Sequence, residues 1–81
     1  MAKRERGGEV TFELAEHIGV IAELNTGWKK ELNLVAWNEG PVKFDIRDWD
    51  ENHEKMGRGI TLNKDEVKAL RDLLLNVDFE R

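Results

Sequence analysis

The stretch VKFDIRDW at residues 42–49 decides the fold, because its apolar and polar side chains alternate. Successive side chains of a β-strand point to opposite faces. One face of this segment is therefore apolar, and the other combines charges with an aromatic ring. The residues of the second face are Lys43, Asp45, Arg47 and Trp49. The pattern predicts a strand in a sheet with two chemically different faces.

Three further strands are predicted around this segment. Residues 12–24 alternate imperfectly, and Asn25-Thr26-Gly27 is typical of a turn. Residues 28–37 (WKKELNLVAW) form the second predicted strand, which ends at the turn NEGP at 38–41. After a polar loop at 50–55, residues 56–62 (MGRGITL) form a fourth, in which the glycines indicate a bulge or a close backbone approach.

A helix is predicted to follow the fourth strand. Asn63 is a suitable N-cap, and Glu66 stands three residues later, as in a capping box. The helix is expected to end near Leu75, with an apolar arc of about 200°, roughly twice what is needed to cover one sheet. The pattern predicts an α+β fold of four antiparallel strands and one helix, with the helix on the apolar face and the other face open.

Composition limits the alternatives. The 81 residues allow one domain, predicted at 12–77 between flexible tails at 1–11 and 78–81, and the lack of cysteine excludes disulfides. No apolar stretch has the length of a signal peptide or a membrane span. We therefore predict a cytoplasmic protein, and association with the nucleoid is compatible with this prediction. Thirteen basic against seventeen acidic residues give a net charge of −4, which by itself argues against nucleic acid. Because salt screens charges beyond roughly 8 Å, the charges on the binding face, and not the net charge of the chain, determine whether nucleic acid is attracted.

Catalysis is not expected. The chain has no serine, cysteine or tyrosine, and its hydroxyl groups are those of Thr11, Thr26 and Thr61. None of them is next to a histidine in sequence, so no nucleophile and base are brought together. We predict that the protein is not an enzyme and needs no cofactor.

A metal site is considered and not predicted. Asp48, Asp50 and Asn52 have the spacing of the first ligands of a calcium loop. The sixth position, however, is His53 instead of glycine, and the twelfth is Gly59 instead of glutamate. We predict a solvated loop, a surface position for His17, and little effect of His53→Ala on folding or binding.

Aromatic and basic residues on the open face indicate binding of single-stranded nucleic acid. Bases stack on aromatic rings, and lysine and arginine follow the phosphates. Alternation places four such residues on the open face, namely Trp37, Lys43, Arg47 and Trp49. Lys55 and Arg58 flank it, and a bulge near Glu31 would add Trp28 and Lys30. From the pattern alone, a second interpretation is equally favoured. In it the tryptophans are partly buried, and the charged residues beside them form a solvent-exposed row.

Several segments in a fixed order resemble the family of the transcriptional coactivator positive cofactor 4. These are FDIRDW at 44–49, GRGITL at 57–62 and the capped helix; WKKELN at 28–33 and HEKMG at 53–57 are similar to the short bacterial, YdbC-like branch. The resemblance covers about residues 12–75. It implies a curved four-stranded sheet with a C-terminal helix, a homodimer formed partly through the helices, and binding of single-stranded DNA with little sequence preference.

The resemblance also implies roles for particular residues. Trp37 matches the family's stacking aromatic residue, and Arg47 matches the arginine of its Asp-Ile-Arg segment. Trp28 and Lys30 fall at basic DNA contacts, and Lys55 and Arg58 fall in the basic approach to the fourth strand. The chain departs from the eukaryotic pattern in its acidic net charge, in Val35 at an expected basic position and in one basic residue fewer before Ile60. We therefore expect weaker, more salt-sensitive binding, and we do not transfer the eukaryotic role in activator-dependent transcription.

Two partner hypotheses follow. The main one is single-stranded DNA, with RNA as a second ligand; the alternative is a protein-interaction module that docks a peptide on the open face or a sheet edge. A homodimer is predicted in addition, because the helix has more apolar surface than one sheet can cover. The leucines expected at that interface are Leu70, Leu73, Leu74 and Leu75.

Overall fold

The computed structural model describes residues 11–80, which form one antiparallel sheet followed by one helix. The strands are β1 (Phe12–Glu23), β2 (Lys29–Trp37), β3 (Val42–Trp49) and β4 (Met56–Leu62), and the helix is α1 (Lys64–Leu75). The strands lie side by side in the order β1-β2-β3-β4. The predicted α+β class is confirmed, as is the order of four antiparallel strands followed by one helix. Except for Thr11, the predicted N-terminal tail lies outside the described residues, as does Arg81.

Both predicted hairpin turns are present. Gly27 has a φ of 93°, a left-handed conformation that glycine adopts without steric cost. In the next turn Asn38 and Glu39 both have positive φ, and Gly40 N–H donates to the Trp37 carbonyl at 2.8 Å. This is the geometry of the tight turns that match the twist of two antiparallel strands. The second turn joins β2 and β3 in a regular register, in which Glu31 pairs with Arg47 and Asn33 with Asp45.

β1 is irregular and curves around the sheet. Its pairing with β2 shifts at three places, and each shift leaves one extra residue in β1: Ala15, Ile18 and Ile21. Extra residues of this kind bend a strand and increase its twist. They also explain the imperfect alternation in the sequence, because each of them changes which side chains face inward.

The curvature brings the ends of the sheet together on one face. Trp37 and Trp49 end β2 and β3 at opposite ends of the pair, roughly 25 Å apart in a flat sheet. Phe12 nevertheless contacts both rings, with centroid distances of 6.0 Å to Trp37 and 5.2 Å to Trp49. We call this the concave face; its β2 and β3 residues are Lys29, Glu31, Asn33, Val35, Trp37, Lys43, Asp45, Arg47 and Trp49.

Burial is distributed differently from the prediction, which left this face open and covered the apolar one. The concave face contains the most buried side chains of the described chain, among them Val35, Asn33, Asp45 and Trp49, all 0 % exposed. On the opposite face and its rim, Val42 and Ile60 remain about half exposed. The physical reason is that the curved sheet encloses its own inner side chains.

The helix is held at its start and only loosely packed along its length. Asn63 accepts a hydrogen bond from the Glu66 N–H, and the Glu66 carboxylate accepts one from the Asn63 N–H, both at 2.8 Å, so the predicted capping box is confirmed. Within one chain α1 packs mainly against β3 and β4, and none of its residues is buried. No helix within residues 11–80 is both long and apolar enough to cross a membrane.

Candidate nucleic-acid interface

Trp37 and Arg47 form a stacked pair on the concave face. The guanidinium carbon of Arg47 lies 4.7 Å from the centre of the Trp37 ring. Phe12 contacts the same indole. The ring is therefore fixed by its neighbours while part of it stays accessible. An aromatic residue that is partly exposed and held by its neighbours can stack an unpaired base without first losing conformational freedom.

Arg47 is held in place by a buried carboxylate. Its Nε and Nη2 donate to the two oxygens of Asp45 at 2.7 and 2.9 Å, and Nη1 donates to the Gly57 carbonyl at 3.3 Å. Thr61 Oγ1 adds a third donor to Asp45 at 2.9 Å. Asp45 therefore positions Arg47. Because this ion pair is internally satisfied, Arg47 keeps only 15 % of its side chain exposed and offers little free charge to a phosphate.

Trp49 has the predicted face but not the predicted exposure. Its ring is completely buried, with Phe12 at 5.2 Å and His53 at 5.6 Å between ring centroids. A base cannot reach a ring that is covered on this face. The expectation of two exposed stacking tryptophans is thus corrected: in this conformation Trp49 supports the concave face, and Trp37 is the accessible ring.

The predicted basic residues divide into two groups. Lys43, Lys55 and Arg58 are exposed, and none of them forms an ion pair with another residue in the range 11–80. Lys30 instead pairs with Asp48 at 2.9 Å.

The position of Lys30 follows from the strand pairing. The pairing of β2 with β3 is regular throughout, so there is no bulge near Glu31 that would turn Lys30 to the concave face. Because side chains alternate along a strand, the neighbouring residue Lys29, which pairs with Trp49, lies on the concave face instead of Lys30. Trp28 precedes β2 at the turn, half-buried, and its contact with a ligand stays a prediction.

The loop between β3 and β4 is closed by Asp50. Its Oδ1 accepts hydrogen bonds from the N–H groups of Glu54 at 2.8 Å and Lys55 at 3.1 Å. Desolvation opposes ionisation of Asp50, but these donors outweigh it and lower its pKa. Within the described residues no group of three or more histidine and acidic side chains is arranged to hold a metal ion.

The least expected feature is a cluster of polar residues centred on Glu31. His53 Nε2 lies 2.8 Å from Glu31 Oε1, and Asn33 Nδ2 donates to the same oxygen at 3.1 Å. His17 Nδ1 lies 2.7 Å from Asn33 Oδ1. We call His17, Glu31, Asn33 and His53 the histidine–carboxylate cluster. His53 thus belongs to the concave face instead of a freely solvated loop. The sequence did contain an indication of this cluster. Glu31 and Asn33 alternate in phase with Trp37, which places these two polar residues on the same face of a central strand.

The ionisation of Glu31 reflects these contacts. Burial raises the pKa of a carboxylate, but the hydrogen bonds from Asn33 and His53 and the charges of both histidines when protonated have the larger combined effect. The pKa of Glu31 is therefore below its usual value. The concave face contains a carboxylate that stays ionised at neutral pH.

Comparison with known proteins gives a family and one close relative. The family model for transcriptional coactivator p15 (PC4) matches residues 24–73, which include β2, β3, β4 and most of α1. An uncharacterized protein of Treponema pallidum (strain Nichols) is 37 % identical, over 96 % of each chain. The matched segment contains every residue of the concave face defined above in β2 and β3. The chain therefore belongs to the transcriptional coactivator p15 (PC4) family.

Proposed function

We propose that the protein binds single-stranded DNA, with RNA as a second ligand, through Trp37 and the basic residues at the rim of the concave face. The observation that supports this most directly is Trp37, which is partly exposed, is stacked on Arg47 and lies two positions along the strand from Val35, the pairing partner of Lys43. A base on Trp37 would leave its phosphate within reach of Lys43. Family membership supports a role in transcription, and the same activity would serve replication or repair.

In this proposal the residues have different tasks. Trp37 stacks a base, and Lys43, Lys55 and Arg58 contact phosphates. Arg47 and Asp45 position the Trp37 ring, while Trp49 and Phe12 support it from within the concave face. Since contacts to stacked bases and phosphates do not select one base, we expect little sequence preference.

The stacking role is tested with labelled oligo(dT) in a fluorescence anisotropy titration at low salt. Trp37→Ala should weaken binding by about 1–3 kcal/mol, the usual worth of one stacked base. Trp37→Phe is the matched variant, because the Trp37 Nε1 has no hydrogen-bond acceptor within residues 11–80, so phenylalanine removes no bond. It should keep most of the affinity. Equal affinity of folded Trp37→Ala and wild-type protein would contradict the stacking assignment.

The phosphate contacts are tested by salt dependence. Lys43→Ala should reduce the slope of log K against log salt concentration by about 0.7, the value for one contact to a single strand. Lys68→Ala removes the same charge from the exposed surface of α1 and should leave the slope unchanged. Identical slopes for the two variants would show that Lys43 does not contact a phosphate.

The form of the ligand is a separate test. Bases in a duplex are already stacked on each other, so a blunt duplex of the same length should bind at least about tenfold more weakly. Equal affinity for both forms would mean that charge alone drives binding. Failure of the wild-type protein to bind any oligonucleotide at low salt would favour the alternative function, docking of a peptide.

A further inference from the structure

Both histidines of the chain are in contact with one buried carboxylate group or its hydrogen-bond partner. The chain has only two histidines, and they come from β1 and from the loop between β3 and β4. Glu31 Oε1 lies 2.8 Å from His53 Nε2 and 3.5 Å from His17 Nδ1, while the Glu31 side chain is only 3 % exposed. The two imidazole rings face each other edge to face, 6.2 Å apart. Chain segments far apart in sequence are thus joined at a single ionised group.

The hydrogen bonds leave one nitrogen of each imidazole ring free to take up a proton. Asn33 donates through Nδ2 to Glu31, so its Oδ1 accepts from His17 Nδ1. His53 donates through Nε2 to the carboxylate. His17 is 46 % and His53 38 % exposed, so protons reach both rings from solvent. Protonation needs no rearrangement of the cluster.

Among residues 11–80, no lysine or arginine forms an ion pair with Glu31. Arg47 pairs with Glu31 in the strand register, but its guanidinium is bound to Asp45. Lys29 shares the concave face, and no ion pair joins it to Glu31 within residues 11–80. On the loop side the Asp50 carbonyl accepts from the His53 N–H, and the Asp50 carboxylate is bound to backbone N–H groups. Within the part of the chain that the structure describes, the charge next to Glu31 is therefore set by the two imidazoles.

We propose that the histidine–carboxylate cluster is a proton-controlled element that strengthens binding of single-stranded nucleic acid as the pH falls from about 8 to about 5.5. This inference rests on the proposed function. With both rings neutral, the cluster has the negative charge of Glu31, which repels a phosphate. One added proton cancels that charge, and a second makes the cluster cationic. Imidazole is the side-chain group that ordinarily changes charge in this range.

Protonation also affects the loop at residues 50–55. A charged His53 converts its hydrogen bond to Glu31 into an ion pair, which holds the loop more firmly against β2. Lys55 is in this loop, so a firmer loop positions a basic residue as well as adding charge. One new contact between a phosphate and a positive charge is expected to raise the affinity about fivefold in 0.1 M salt. This factor follows from a slope of about 0.7 in log K against log salt concentration for each contact.

The decisive variant is the double substitution His17→Gln and His53→Gln. Glutamine still donates a hydrogen bond but cannot take up a proton. Affinity for labelled oligo(dT) is measured for both proteins at about pH 8 and about pH 5.5, at one ionic strength. The wild type should bind roughly five- to twentyfold more tightly at the lower pH. The double variant should show only the small change that the terminal amino group contributes to both proteins.

A second measurement follows the carboxylate directly and needs no nucleic acid. The side-chain carboxylate signal of Glu31 is titrated by NMR in the wild type and in the double variant. Replacing both imidazoles should raise the pKa of Glu31, because the carboxylate loses the positive charges of the two protonated rings.

The outcomes separate the two proposals. No binding by the wild type at either pH would overturn the proposed function, and the pH control with it. Binding with the same pH dependence in wild type and double variant would overturn only the pH control. A Glu31 titration that is the same in the wild type and the double variant would also overturn it, because the cluster would then not act as one electrostatic unit.

Discussion

At the scale of single residues, Gly59 shows how closely β4 approaches β3. A methyl group built at this position would overlap Arg47 Cβ and the Ile46 carbonyl oxygen, and would lie 2.9 Å from Arg47 Cα. Two of these three atoms belong to the backbone, which cannot rotate away. The glycine therefore permits the strand approach that also places Arg47 near the Gly57 carbonyl.

We expect Gly59→Ala to lower the free energy of unfolding by at least about 2 kcal/mol, because strand β4 must move away from β3. Gly19→Ala is the matched control, since nothing lies within 4 Å of the added methyl group. That variant should be neutral or slightly more stable. Urea denaturation of the two variants measures the difference. Similar stabilities would mean that β4 does not approach β3 so closely.

Glu31 gives the protein a pH-dependent stability of defined sign. Its pKa is below 4.5, the ordinary value of a glutamate, so its contribution to stability is complete above that pH. The contribution is lost as the pH falls through the lower folded-state value, when the carboxylate is protonated. Urea denaturation between about pH 6 and about pH 3 should show a smaller loss for Glu31→Gln than for wild type. Equal losses would contradict the assignment of an ionised, hydrogen-bonded Glu31.

His53 and Trp49 mark the limit of what could be predicted for single residues. The alternation of side chains assigned Trp49 to the correct face of its strand. The burial of Trp49, however, depends on the curvature of the sheet, which brings Phe12 from β1 over the Trp49 ring. His53 was expected in a solvated loop, and its bond to Glu31 depends on a long-range contact that spacing does not indicate. We now expect His53→Ala to cost about 1–3 kcal/mol of stability, because a buried carboxylate loses a donor.

At the scale of elements, sequence signals were reliable where local chemistry determines the structure. The bounds of β3, β4 and α1 follow from alternation, glycines and the Asn63 cap. β1 is different, because its three extra residues interrupt alternation and bend the strand at the edge of the sheet. Such irregularities also discourage pairing with another strand at that edge. The face assignment of β1 therefore required the structure.

The capping box of α1 offers a test at this scale. Asn63→Ala removes the acceptor for the Glu66 N–H and should destabilise the protein by about 1 kcal/mol. Lys64→Ala changes the adjacent helix position without removing a capping bond, and should stay within about 0.5 kcal/mol of wild type. Thermal denaturation followed by circular dichroism compares the two. A Lys64→Ala effect as large as that of Asn63→Ala would show that the cap adds nothing specific.

At the scale of the whole molecule, the curved sheet and the exposed helix leave apolar side chains on the surface without a cover in a single chain. Leu73 is 68 % and Leu75 76 % exposed, and Val42, Ile60 and Phe79 are also exposed. The concave face is already filled by its own side chains, so these residues cannot turn inward. The predicted homodimer remains a proposal, and this surface supports it, because a twofold axis needs only one self-complementary patch.

The dimer is expected to disappear when a charge is placed in that surface. Burial of a leucine contributes about 1.5–3 kcal/mol, so a few leucines from each subunit suffice to hold a small domain pair together. Leu73→Glu should separate the subunits or unfold the chain. Arg71→Glu introduces the same side chain about 160° away around α1, on its other side, and should leave association intact. Analytical ultracentrifugation should give twice the chain mass of 9.4 kDa for wild type and Arg71→Glu.

Dimerisation should also matter for binding, although Leu73 is outside the concave face. Two concave faces joined in one particle hold one long strand at high effective concentration, so a dissociated but folded Leu73→Glu protein should bind long oligo(dT) more weakly than wild type. The loss should be much smaller for an oligonucleotide that is too short to reach both faces. A wild-type protein that sediments as a 9.4 kDa monomer at micromolar concentration, and binds long and short oligonucleotides with equal affinity per site, would refute the dimer as the working unit.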